Sequence, residues 1–491
     1  MSILSAPEID YQQQTYSHPT YKYLQFYPNT FGQAITIGSA LNQVTINLPP
    51  NECINFAKSY LTWYDSITNG TAGALTYWIH NDTVPEINRM QLQPSNSTYL
   101  VDIDYFQNYF QLSSKAETNF GEFMCRDPFL ENMVPCNCLN ANNLKIGSSN
   151  TNTAVAGSGS VNYTEPAYLY TTGSLTNVAG GNNANVYNIS RMLKLGDIKN
   201  SFMSIDKDVY FGGQISYLKL WIGTSDKFGF SSTNAGDPIT GAALLSAAAT
   251  TIQMNNLTLY LAVESNELIR QDIMQQVQSE GLRYMIPYVQ AYKNLYGASS
   301  TQQLSIQLDV NSGQAFRKIY WSLYNNTESG TLAYDHSNIN YSNAFLGVVP
   351  FYGSKIYNFW SLLNGKRLQD ITIDSRIGQN TAVAAAGTMP AVPVGSIPLD
   401  WMSLKNKLKG SVIQNSQVYQ ANWFWLDDFT GFSSIMMQNG CPQIFSGIPM
   451  SAVALVYGFN AYATTTYAYN HYAYSVFFKE LNISTSLVTV V

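Results

Sequence analysis

The chain has 491 residues, of which 25 are basic and 31 acidic, giving a net charge of −6; only 11% are charged, 45% are apolar and 35 are tyrosine. That balance excludes a disordered chain, which is charge-rich and aromatic-poor, and an electrostatic binder of nucleic acid or membrane surfaces, which carries a basic patch. The length predicts two or three cores, and the aromatic content predicts a β-dominated protein, because ring and β-branched side chains suit a pleated, half-buried surface.

Residues 1–30 contain one base, Lys22, with neither a cationic leader nor a continuous apolar run. They read as an N-terminal arm lying over the surface or over a neighbour, not as a secretory signal. From residue 31 the pattern becomes strand-like. Residues 44–48 (VTINL) alternate, Pro49-Pro50-Asn51 supplies a turn, and 53–64 is a second strand-like run; further strands are expected at 97–103, 209–222 and 256–263. Gly/Ser/Asn/Ala/Thr-rich stretches at 147–188, 233–250 and 378–398 read as long surface loops. The clearest helix covers 266–279: Ser265 can cap it, Ile269, Ile273 and Val277 form one apolar stripe, and Gly281 ends it. Runs such as 450–457 (MSAVALVY) fall far short of the roughly 20 residues that span a bilayer. A soluble protein made in a reducing compartment is expected.

An internal repeat crosses that helix. Without a gap, 44–65 (VTINLPPNECINFAKSYLTWYD) aligns with 304–325 (LSIQLDVNSGQAFRKIYWSLYN) at a constant offset of 260, Ile46 falling on Ile306. Leu48/Leu308, Phe56/Phe316, Lys58/Lys318 and Tyr60/Tyr320 are identical as well, and YLVDI (99–103) recurs as RLQDI (367–371). Two strand-turn-strand segments in a Tyr/Ile/Leu-rich chain can also align by composition. Two segments recurring in the same order at nearly the same spacing favour two copies of one β-domain. The expected organisation is an arm at 1–30, a first domain at 31–264, a connecting helix and linker at 265–297, and a second domain at 298–491. Ile46, Leu48, Phe56 and Tyr60, with partners Ile306, Leu308, Phe316 and Tyr320, are its expected core or sheet positions.

Catalytic chemistry is sparse. The histidines His18, His80, His336 and His471 are scattered, and Asp335-His336 are adjacent residues that cannot both address one atom from a strand. Asp427 and Asp428 lie among aromatics as in a sugar cleft, but a glycosidase needs carboxyl groups facing each other, with Glu264 or Asp374 as the distant partner. The five cysteines, Cys53, Cys125, Cys136, Cys138 and Cys441, have no zinc-site spacing. No catalytic residue, cofactor or metal is expected.

The segments 191–223 (RMLKLGDIKNSFMSIDKDVYFGGQISYLKLWIG), 256–273, 281–293 and 316–338, with 44–64 and 97–103, resemble the double jelly-roll major capsid proteins of small double-stranded DNA viruses. The resemblance is to the polinton-like virus, adintovirus and virophage type, in the lineage that includes adenovirus hexon and the tectiviruses. It implies an all-β fold of two tandem eight-stranded jelly rolls, and homotrimers of pseudo-hexagonal outline that tile an icosahedral shell in the virion. It also implies penton and minor capsid or cement proteins as partners, and no sequence-specific nucleic-acid binding. The competing readings are a tandem jelly-roll lectin or adhesin and a β-sandwich glycoside hydrolase.

Overall fold

The computed structural model describes residues 19–30, 32–37, 41–69, 76–79, 84, 86–94, 98–119, 122, 185–223, 229–232, 242–243, 250–296, 301–308, 315–325, 356–368, 373–374, 424–429, 448–449, 453–461, 469–485 and 487–490. The principal strands of the first half are β1 (Tyr21–Phe26), β2 (Asn42–Leu48), β3 (Ile54–Asn69), β4 (Ile87–Pro94), β5 (Val101–Asp104), β6 (Asn185–Lys194), β7 (Ser216–Ile222) and β8 (Thr250–Glu264). Those of the second are β9 (Leu282–Tyr296), β10 (Thr301–Leu308), β11 (Ala315–Asn325), β12 (Ile356–Leu363), β13 (Lys366–Arg367), β14 (Trp425–Asp428), β15 (Val453–Ala461) and β16 (Tyr469–Ile483). Helix α1 (Phe106–Glu117) follows β5, and helix α2 (Glu267–Ser279) lies between the halves.

The strands form two sheets in each half. In the first, the orders are β1-β8-β3-β6 and β2-β7-β4-β5; in the second they are β9-β16-β11-β14 and β10-β15-β12-β13. These pairings are antiparallel. Four outer strands alternating with four others across two facing sheets is the jelly-roll arrangement. Each strand of the first half has its counterpart eight strands later, so the chain is a double jelly roll.

Alternation makes the sheets two-faced. In β7 the residues Leu218, Leu220 and Ile222 are buried and Tyr217, Lys219 and Trp221 only partly so. In β2, Val44, Ile46 and Leu48 turn the same way, opposite Leu220, Leu218 and Ser216. Leu61 and Trp63 of β3 complete that core from the facing sheet. The segments 44–65 and 304–325 occupy the equivalent pairs β2-β3 and β10-β11. RLQDI begins in β13, the counterpart of β5, and its residues 369–371 lie outside the described residues.

Several expectations change. Residues 21–26 are not arm: they form β1, in register with β8 from Tyr21 opposite Glu264 to Phe26 opposite Leu259. Leu24 and Phe26 pack on the core, so the edge strand has an apolar face to bury. Likewise 282–296 is not linker but β9, which pairs along its whole length with β16. The 209–222 strand is two, 208–209 and 216–222, parted by Gly212 and Gly213 at φ 63° and 81°, a conformation only glycine adopts freely. Asn266, not Ser265, caps α2, accepting from the Leu268 amide at 3.1 Å, because Ser265 is already held to Thr20. Of the expected loop 147–188, residues 185–188 are not loop but the start of β6, where they pair with β3, and 147–184, like 378–398 and most of 233–250, lie outside the described residues.

Helix α1 has no counterpart in the sequence reading. Phe106, Gln107, Asn108, Tyr109, Phe110 and Gln111 are all buried, so the helix is covered on every side. It packs on β4 of its own roll and on β11 of the other.

Candidate functional site

Of the eight core or sheet positions read from the repeat, Ile46 and Leu48 face inward from β2, and Phe56 lies against Phe202 and Phe211 with ring centroids 5.5 and 6.1 Å away. Phe316 is fully buried beside Phe429. Ile306 and Leu308 stand in β10 opposite Leu455 and Val453; their side chains are outside the described residues. These residues are spread over both rolls and form no common site. Tyr60 and Tyr320, identical by the repeat, differ in environment: Tyr60 is half-buried on the outer face of its sheet, Tyr320 is fully buried.

That difference marks where the rolls meet. On the outer face of the second roll, Lys318 donates to Glu117 Oε1 at the end of α1, 2.5 Å away, and the Tyr320 hydroxyl donates to the same oxygen. Asn200 Nδ2 donates to the Tyr320 hydroxyl at 2.8 Å. Tyr474 stacks obliquely on Tyr109 at 5.2 Å and donates its hydroxyl to the Tyr105 carbonyl at 2.9 Å. Tyr105 enters α1 at φ 52°, an uncommon conformation for a ring residue, and its ring is held against Tyr472 at 5.1 Å. Burial alone would raise the Glu117 carboxyl, but Lys318 and the hydrogen bonds from Lys318 and Tyr320 hold it below the usual range. Burial and the neighbouring Glu117 charge push the Tyr320 phenol well up, so it stays a donor. Backbone approach ties the rolls elsewhere: a Cβ on Gly212 would stand 2.3 Å from the Ser484 carbonyl oxygen.

The candidate catalytic groups disperse. Asp427 accepts from the Tyr457 hydroxyl at 2.9 Å inside the second roll. Glu264, in the first roll, accepts from the amides of Thr20 and Asn266 at 3.0 and 2.7 Å, fastening β1 and the start of α2. The Asp374 side chain is outside the described residues, as are His18, His80, His336, Cys125, Cys136, Cys138 and Cys441. His471 is fully buried against Trp321, and burial pushes its pKa down to about 3, leaving it neutral. Cys53 is buried and burial pushes its thiol up to about 12, against nucleophilic use. Among the described residues no three His, Cys, Asp or Glu side chains gather closely enough to hold a metal ion, and no helix is long and apolar enough to cross a membrane. A polar groove of about 350 Å³ between the rolls is lined by Asp102, Asp104, Tyr288, Phe477 and Lys479. Its acids are engaged by Arg89, at 2.8 Å from Asp102 and 3.0 Å from Asp104.

No protein-family model and no curated protein matches the sequence. Solved structures match in fold. The Faustovirus major capsid protein is 9% identical with a TM-score of 0.52, over 96% of this chain and 92% of that one. The mavirus major capsid protein is 10% identical with a TM-score of 0.49, over 98% of this chain and 92% of that one. A chain of the Sputnik virophage is 11% identical with a TM-score of 0.47, over 98% of this chain and 90% of that one.

Proposed function

We propose that this chain is the major capsid protein of an icosahedral virus with a double-stranded DNA genome. The carrying observation is the pair of complete eight-stranded rolls side by side in one chain, a fold shared along almost the whole of both chains with the Faustovirus major capsid protein. In this reading three chains associate, two rolls from each give a six-lobed capsomer, and capsomers tile the shell. Penton and minor capsid or cement proteins complete it, and the protein resides in the virion after synthesis in the host cell. No catalytic residue or cofactor takes part.

The surface chemistry suits the role. With 11% charged residues, many copies approach without accumulating repulsion, and tyrosine offers large contact area at modest entropic cost. The groups that would serve a hydrolase are engaged structurally: Asp427 by Tyr457 and Glu264 by backbone amides. The test is the native mass of the purified full chain by light scattering, with negative-stain imaging of the same fractions. A mass near three times 54.6 kDa with six-lobed particles is expected. A protein that stays a single chain at every concentration sinks the reading.

A further inference from the structure

At the start of β1 two carboxyl groups are buried within reach of each other's charge. Asp208, in the short strand 208–209, and Glu264, at the end of β8, are both fully buried, and Asp208 Oδ2 and Glu264 Oε2 have no hydrogen-bond partner among the described residues. Asn55 of β3 donates its Nδ2 to Asp208 Oδ1 at 3.1 Å, to Asp206 Oδ1 at 3.0 Å and to the Tyr21 hydroxyl at 3.3 Å. Two amide hydrogens cannot satisfy three acceptors, so the Asp208 carboxyl also relies on a bond from the Tyr21 hydroxyl. The other charged and titratable groups nearby are Lys58 of β3, already paired with Asp206, and Cys53, whose thiol meets the Arg270 carbonyl of α2 at 3.9 Å. The Arg270 guanidinium is itself held to Glu52 at 3.7 Å. Burial, with the Glu264 charge adding to it, pushes the Asp208 carboxyl up to about 6 against the bonds from Asn55 and Tyr21.

We propose that Asp208 works as a proton-operated latch on β1, holding the strand to the first roll when protonated and loosening it when ionised. The same two carboxyl groups carry polar ties of β1: Tyr21 bonds to Asp208, and the Thr20 amide donates to Glu264 Oε1 at 3.0 Å. β1 is also the element able to yield. It is six residues long and stands at the edge of its sheet, paired among the described strands with β8 alone, whereas β3 and β8 are held on both sides. A proton on Asp208 removes one of two like charges buried together and supplies a donor. Its loss leaves an ionised carboxyl out of water, a penalty relieved when β1 lifts and water enters. Because the carboxyl is raised in the folded state, the stabilisation is complete below its unfolded value, about 4, and is lost as pH rises through about 6. Opening bares the backbone groups of β8 between Leu259 and Glu264, the edge on which β1 pairs.

The test is hydrogen exchange of the full chain, kept dilute enough to remain single, in steps from about pH 4 to about pH 7.5. It is read as protection factors of the β1 amides, Tyr21–Phe26, with the amides of β7 as internal reference. Wild-type β1 should lose about tenfold or more of its protection across that range, and at most about a hundredfold for a carboxyl passing from about 6 to about 4 on opening, while β7 keeps its own. Asp208→Asn, which keeps the shape without the charge, should hold its protection throughout. Glu264→Gln keeps an acceptor for the Thr20 and Asn266 amides and removes the neighbouring charge, so its loss should set in at lower pH than in wild type. Wild-type β1 equally protected at every pH overturns the latch, as does an Asp208→Asn protein that loses as much as wild type. A loss shared equally by β7 reports unfolding of the whole chain and overturns it too. If Asp208→Asn leaves β1 unprotected at every pH, Glu264→Gln decides, and a loss at the wild-type pH overturns the proposal.

Discussion

Phe316 has no exposed surface, and its ring centroid lies 5.0 Å from that of Phe429, so truncation leaves a cavity in the second core. Phe316→Ala should cost about 3 to 5 kcal/mol in chemical denaturation, the usual penalty for a buried Phe; an unchanged midpoint removes its role as a core anchor. A second residue-scale prediction concerns pH. Asp65, Glu86 and Arg191 are buried together, with Arg191 Nε 2.7 Å from Asp65 Oδ2 and 3.1 Å from Glu86 Oε1. One guanidinium faces two carboxylates, and burial, with the Glu86 charge beside it, drives the Asp65 pKa well above the ordinary range. A carboxyl raised in the folded state gives stability that is complete below its unfolded value, about 4, and lost as pH rises through the folded one. The wild type should therefore melt progressively lower as pH rises above the unfolded value of about 4, and Asp65→Asn should flatten that decline. Parallel pH profiles for the two proteins would refute the assignment.

At the scale of elements, α1 is the strut between the rolls, and Glu117 at its end is where the strut takes load. Removing that carboxylate leaves Lys318 buried without its partner, so Glu117→Ala should cost about 2 to 4 kcal/mol in urea unfolding, more than truncating an exposed glutamate. Because the Glu117 pKa is lowered, the sign is the reverse of that at Asp65. Its contribution is present above the unfolded value and fades as pH falls through the depressed one. A loss no larger than that of an exposed glutamate would take Glu117 out of the interface. Helix α2 was legible because only one side of it is buried, by Ile269, Ile273 and Val277, which leaves a stripe. Helix α1 was not, because both rolls press on it and Gln107, Asn108, Gln111, Ser113 and Ser114 are buried along with its apolar residues. With every side covered, burial leaves no polarity contrast around the axis. Strands β1 and β9 escaped for a related reason: short or Pro-interrupted segments at sheet edges show their alternation only against the strand they pair with.

On the scale of the whole molecule, the duplication is the organising fact, and its two copies are not equivalent. Equivalent strands build two similar cores, but the first roll lends α1 to the second and receives no described equivalent in return. The repeated face is thereby covered on the second roll and less so on the first: Tyr320 is fully buried and Tyr60 half-buried, with Lys58 paired to Asp206. The ties between the rolls are polar and aromatic, from the Glu117 cluster to Tyr105 on Tyr472. Close approach adds to them at Gly212 against Ser484 and in the bond from the Val490 amide to Thr98 Oγ1 at 3.1 Å.

By itself the sequence determined the β class, the tandem copy of one domain and the helix between the copies. Each is written in local signals: residue preference, alternation at a period of two, and a stripe at the helical period. Of the eight positions expected in the core or sheets, Ile46, Leu48, Phe56, Phe316 and Tyr320 are buried, and Tyr60 is half-buried. Tertiary structure alone decided that β1 and β9 belong to the rolls, that α1 lies between them, and that Tyr60 and Tyr320 meet different surroundings. Burial is set by whatever packs on a residue from elsewhere in the chain, and two identical residues in equivalent strands cannot record which of them has a neighbour.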